Sequence, residues 1–220
     1  MFALRSFGAF VMAAGVALTL SGQSANAQAV FTITSPAFKD GTLLAKKNAG
    51  DNKSNPNCVG DNVSPPLSWT NVPAGTTSFA LVMTDPEGRG IGVDHWIAYG
   101  IPASVTGFAE DEVGKPSDKY VGGKGTAGQA IYLGPCTPPN QSPHHYTFIL
   151  IATDLDPKAL PPGLTRLELF EKLTGHVKGS TGIIGLFLGP SRALSSGFMP
   201  ATTSPRTTGL LSPGSGRRTV

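Results

Sequence analysis

Proline and glycine punctuate this chain so often that long uninterrupted elements have little room to form. Its 220 residues include 28 glycines and 19 prolines; a proline removes a backbone donor, and a glycine weakens helix and strand interiors alike. Short β-prone runs survive between the breaks. Residues 30–34 alternate apolar and polar and end at Ser35-Pro36, and residues 67–70 follow Pro65-Pro66. Residues 79–84, 96–101 and 146–153 are apolar and β-branched runs of strand length. The pattern predicts a mainly β domain with few short helices. One helix is signalled by the capping box Thr165-x-x-Glu168, with Leu167, Phe170 and Leu173 expected on one side and Gly175 at the exit.

The two ends read differently from the middle. Residues 1–27 have the layout of a secretory signal: Arg5 in a short leading region, an apolar stretch over residues 7–20, and the small-residue site Ala25-Asn26-Ala27. The apolar stretch is shorter than a membrane span and is interrupted by Gly15 and Thr19. A cleaved signal and a periplasmic or secreted protein are therefore expected, with one domain over residues 28–190. Residues 191–220 are rich in Ser, Thr, Pro and Gly and have no apolar period after Met199, so a disordered tail is expected.

The formal charge of +3 suggests an acidic partner only until it is placed along the chain. All 14 acids lie between Asp40 and Glu171, whereas Arg5, Arg192, Arg206, Arg217 and Arg218 belong to the two ends, leaving 12 basic residues in the body and a net charge of −2. That excludes a basic nucleic-acid footprint. The run Gly122-Gly123-Lys124-Gly125-Thr126 lacks P-loop spacing. Cys58 and Cys136 are 78 positions apart. An even count in an exported chain favours a disulfide, with two unpaired thiols as the alternative; neither has a C-x-x-C partner for redox or zinc chemistry.

Three polar clusters fall at the ends of predicted strands: residues 84–89 with Asp85 and Glu87, Asp94-His95-Trp96, and Gly134-Pro135-Cys136 running on to His144-His145-Tyr146. Together with Ser64-Pro65-Pro66-Leu67-Ser68-Trp69, in this order and spacing, they resemble the phosphatidylethanolamine-binding protein family, in its bacterial YbhB/YbcL, or Raf kinase inhibitor-like, branch. The resemblance covers about residues 31–175. It implies a phosphatidylethanolamine-binding-protein-like β-sandwich with a small cavity for phosphate, a phospholipid head group or another small anion. Carried over by position, it implies Asp85, Glu87, His95, Pro138, His144 and Tyr146 as ligand-binding residues, with no cofactor, and a cis Asp85-Pro86 bond. Departures are Glu87 for the second acid of the turn, Gly88-Arg89 for Ala-Pro, His145 for arginine, and Thr137-Pro138 where the family has Pro-Pro. By strand alternation His145 should face away from His144.

A non-enzymatic anion-binding protein, acting as a protease or signalling regulator, is the leading expectation, since no G-x-S-x-G elbow occurs and paired cysteines supply no nucleophile. Two alternatives come from different classes. Asp85, His95 and His144 form a ligand set of the kind used by metal-assisted hydrolases, and the domain also fits a protein-interaction scaffold with a vestigial pocket.

Overall fold

The computed structural model describes residues 29–139 and 142–190. The expected export signal and C-terminal tail fall outside the described residues. Contacts divide the chain into two units, residues 1–30 and 31–220, and every element named below belongs to the second.

The strands are β1 (Thr32–Thr34), β2 (Thr42–Leu43), β3 (Leu67–Thr70), β4 (Ser78–Asp85), β5 (Val93–Pro102), β6 (Gly107–Phe108), β7 (Val121–Gly122), β8 (His144–Thr153) and β9 (Val177–Phe187), with helix α1 (Arg166–Leu173) between the last two. Six of them form one sheet in the order β2-β9-β8-β4-β5-β7, and β1-β3-β6 form a second. All pairs are antiparallel except β2 with β9.

Strand β4 is central because its apolar run is continuous. Residues 78–83 are buried on both faces, which an alternating strand would not tolerate. One face, with Phe79, Leu81 and Met83, meets Ile33, Leu67, Trp69 and Phe108 of the small sheet in the main core. Trp69 stands edge-on to Phe79 and Phe108 with ring centroids 5.5 and 5.7 Å apart, the favoured aromatic geometry. The other face, with Ala80 and Val82, packs with Ile97, Tyr99 and Ile151 against Leu169 and Leu173 of α1.

The capping box of α1 forms as expected: the Thr165 amide donates to Glu168 Oε2 at 2.9 Å and the Glu168 amide donates to Thr165 Oγ1. Its buried side is the expected one in part, since Leu173 is buried and Phe170 packs against the same cluster, but Leu167 does not join them. Leu169 and Leu173, four residues apart, face the sheet, whereas Leu167 is 80% exposed, because two residues before Leu169 lies roughly 200° around the helix. Strand β9 is a second departure, since Gly179, Gly182 and Gly185 erase its alternation in the sequence. Gly185 is required by close approach: a Cβ there would stand 2.6 Å from Leu44 Cδ2. β9 nevertheless pairs with the whole of β8, from His144 opposite Phe187 to Thr153 opposite Val177.

Candidate functional site

Antiparallel neighbours place the end of β4 beside the starts of β5 and β8, so three separate sequence clusters converge at one end of the large sheet. Thr84 pairs with Thr147 and Asp85 with Val93. Asp85 continues the face of Phe79, Leu81 and Met83, and His144 and Tyr146 continue that of Phe148 and Leu150. Asp85, His95, His144 and Tyr146 are all buried. His145 lies on the opposite, exposed side, as alternation required.

His95 reaches this face through a bulge. Met83 pairs with Trp96 but Thr84 with Asp94, so His95 is an extra residue without a partner on β4. In regular alternation it would join Ile97 and Tyr99 on the α1 side. Instead its ring meets Tyr146 edge-on at 5.0 Å. β-bulges re-aim side chains in this way, often beside functional sites. The backbone groups freed by the bulge are satisfied by the loop after β7 (Val121–Gly122): Thr126 N donates to Asp94 O at 3.0 Å, Leu133 N to His95 O at 3.2 Å, and Gln129 Nε2 to His95 O at 2.8 Å.

The same loop closes the site. Leu133 O accepts from His95 Nδ1 at 2.8 Å, and the hydroxyls of Thr137 and Tyr146 lie 2.8 Å apart. Asn62 Oδ1 accepts from Gly134 N at 2.8 Å and Gly50 N donates to Pro135 O at 2.8 Å. The expected disulfide, Cys58–Cys136, pins the loop from the other side. Thr137, rather than its neighbour Pro138, reaches Tyr146. Leu133, Gln129 and Asn62 act through backbone and loop contacts, and no motif pointed to them.

Asp85 organises the centre. Its Oδ2 accepts from His144 Nδ1 at 2.8 Å and lies 4.0 Å from His95 Nε2, while its Oδ1 accepts from Glu87 N at 3.0 Å. Burial lowers the His95 pKa, outweighing the carbonyl bond and the Asp85 charge that raise it. Burial and the nearby Asp85 carboxylate push Tyr146 up, so its hydroxyl keeps its proton. At the rim, burial would raise Glu87, but the His145 amide at 3.1 Å and imidazole at 2.6 Å outweigh it, and its pKa falls to about 2.

The turn after Asp85 differs from expectation, because no cis peptide bond occurs among the described residues. Here the chain reverses through the Asp85–Glu87 side-chain turn and a tight helical turn over Gly88–Gly90, with Arg89 at φ 54°. The Gly88-Arg89 departure lies within this helical turn. The metal-like grouping differs too. Ligand atoms of Asp85, Glu87 and His144 lie within 4.8 Å of one another, a set with Glu87 in place of the expected His95. An apolar groove of about 360 Å³ between Phe170 and Leu173 of α1 and Ile149 and Ile151 lies on the other face of the sheet, with no titratable lining group.

The phosphatidylethanolamine-binding protein family model matches residues 34–188. The chain belongs to this family. The match runs past α1 through β9, which extends the resemblance beyond residue 175. The solved structure of Escherichia coli YbcL superposes with a TM-score of 0.65 at 31% identity, covering 73% of this chain and 99% of that one. A UPF0098 protein of Methanothermobacter thermautotrophicus is 39% identical over 134 residues, 59% of this chain and 85% of its own. A Mycobacterium tuberculosis protein carrying the lipoprotein name LppC is 32% identical over 158 residues, 72% of each chain. The fold is that of the phosphatidylethanolamine-binding proteins, and among the described residues no helix is long and apolar enough to cross a membrane.

Proposed function

We propose that this family member is an exported, non-enzymatic binding protein that takes a small anion, phosphate or a phosphoryl head group, at the Asp85–His95–His144–Tyr146 site. The observation that carries this reading is the fixed orientation of its polar groups: Asp85 holds His144, Leu133 O holds His95, and Thr137 holds Tyr146. Preoriented imidazole and hydroxyl groups at strand ends suit recognition of an oxyanion. The signal-like residues 1–27 and the lipoprotein name of the mycobacterial relative support export. Both cysteines are consumed in the disulfide, which removes them as nucleophiles. A regulatory role toward a protease or a signalling partner would then be gated by occupancy of this site.

A metal-assisted reading draws on the Asp85, Glu87 and His144 grouping. His144 and Asp85 are already joined at 2.8 Å through Nδ1 and Oδ2, so a cation bound through those two atoms would have to displace that bond. Titration with phosphate and phosphoethanolamine, followed by NMR of the histidine side chains, tests the proposal. Saturable shifts at His95 and His144 are expected. Shifts confined to other residues sink it, and stoichiometric zinc in the purified protein favours the metal reading.

A further inference from the structure

We propose that the site reads a hydrogen carried by its ligand, accepting phosphate-type oxyanions that bear a P–O–H group and refusing sulfate-type oxyanions that have none. This rests on the anion reading above and narrows it to a chemical class.

Acceptors face one another at the centre of the site. A carbonyl oxygen only accepts, so the His95 Nδ1 to Leu133 O contact of 2.8 Å assigns the ring hydrogen to Nδ1. His95 is 5% exposed, and a second proton would leave a charge on its ring out of water. Nε2 then presents a lone pair, and the group across from it at 4.0 Å is Asp85 Oδ2, also an acceptor. Among the described residues nothing donates to His95 Nε2. Asp85 already accepts from His144 Nδ1 and from Glu87 N, and the Glu87 carboxylate at the rim adds further acceptors, themselves engaged by His145. An atom about 2.8 Å from both His95 Nε2 and Asp85 Oδ2 would subtend roughly 90° between them, a geometry that only a donor fills favourably.

An oxyanion stripped of hydrogens meets these two buried acceptors with lone pairs of its own, and a buried unpaired acceptor is costly. Dihydrogen phosphate brings two O–H groups, one for each acceptor, and a phosphate monoester monoanion brings one. Their remaining oxygens accept from the Tyr146 hydroxyl when Thr137 Oγ1 is the donor in the 2.8 Å contact between the two hydroxyls. Sulfate has the same size and tetrahedral shape and no hydrogen to give. Shape alone therefore does not separate the two, and the Asp85–His95 pair does.

Calorimetric titration of the mature, disulfide-bonded chain with inorganic phosphate, sulfate and ethylammonium at pH 6.5 and fixed ionic strength tests this, with NMR of His95 locating the event. Phosphate is expected to bind at least about tenfold more tightly than sulfate. In Asp85→Asn, whose side-chain amide places a donor opposite His95, the preference should fall toward one as sulfate gains. Equal wild-type affinities for phosphate and sulfate, both sensed at His95, overturn the inference and leave the anion reading standing. Binding of neither anion, or of ethylammonium alone, overturns both. The wild-type comparison decides the matter even where Asp85→Asn fails to fold.

Discussion

Removing both cysteines tests how far the fold depends on its one crosslink among the described residues. Cys58 and Cys136 are 78 residues apart. Closing a loop of that length in the unfolded chain costs about 4.5 kcal/mol at 25 °C by the chain-entropy relation, an upper figure because residual structure shortens the effective loop. Cys58→Ala/Cys136→Ala should therefore lose about 3–4.5 kcal/mol in urea unfolding, equivalent to a melting temperature lower by roughly 6–18 °C for a domain of this size. The site should suffer less than the fold. The loop keeps the Asn62–Gly134 and Gly50–Pro135 hydrogen bonds at 2.8 Å each, so phosphate affinity measured on folded double variant should fall by less than about tenfold. A stability loss under about 1 kcal/mol would refute the loop-closure reasoning. An affinity loss far larger than the expected one would show that the disulfide, and not the hydrogen bonds, positions Leu133 and Thr137.

Three further outcomes are expected. Gly50→Ala places a Cβ 2.6 Å from Cys136 Sγ, so it should cost about 1–3 kcal/mol through overpacking, read by urea unfolding; a neutral result would mean that the crosslinked loops yield easily. His95 has a folded-state pKa below its ordinary 6.5, so the unfolded chain binds its proton more readily; stability from the neutral ring is complete above that value and is lost as pH falls through it toward the folded pKa. His95→Gln should accordingly flatten the decline in urea midpoint between about pH 7.5 and 5, and an unchanged slope would assign the decline to other groups. Glu87→Gln removes a rim carboxylate whose pKa is about 2, and phosphate affinity at low salt should rise by up to about fivefold, fading as salt is added; a salt-independent change would point to a contact and not a field.

The strands that bury both faces were legible because an unbroken apolar run of strand length has few other uses, and β4 extends residues 79–84 by one residue at each end. The site clusters were legible because turn chemistry and polar residues mark strand ends. The bulge at His95 was not, since an insertion in register is a property of two strands and leaves no mark in one. Nor was β9, whose glycines answer to Leu44 and to the neighbouring strand, not to local propensity. Thr137 stood where the family has proline, and its role appears only when the hydroxyl of Tyr146 is found 2.8 Å away. Leu167 misled for the opposite reason: hydrophobicity without the right phase on α1 leaves a side chain in solvent.

A buried carboxylate at the centre of the proposed anion site looks like a contradiction when charge alone is counted. Asp85 lies 3% exposed and engages His144 through one oxygen and the turn amide of Glu87 through the other, so much of its accepting capacity is already used in holding the architecture. That role could be filled by any acceptor, but a carboxylate also repels anions, and a site built only for affinity would do better without it. Under the proposed anion reading a carboxylate adds discrimination, because its repulsion falls heavily on ligands with no hydrogen to offer and lightly on those that have one. The bulge that swings His95 to the same face supplies the second acceptor. On this reasoning the β4 turn and the β5 irregularity serve one purpose, and a straightened β5 would bind anions with less selectivity even with every side chain kept.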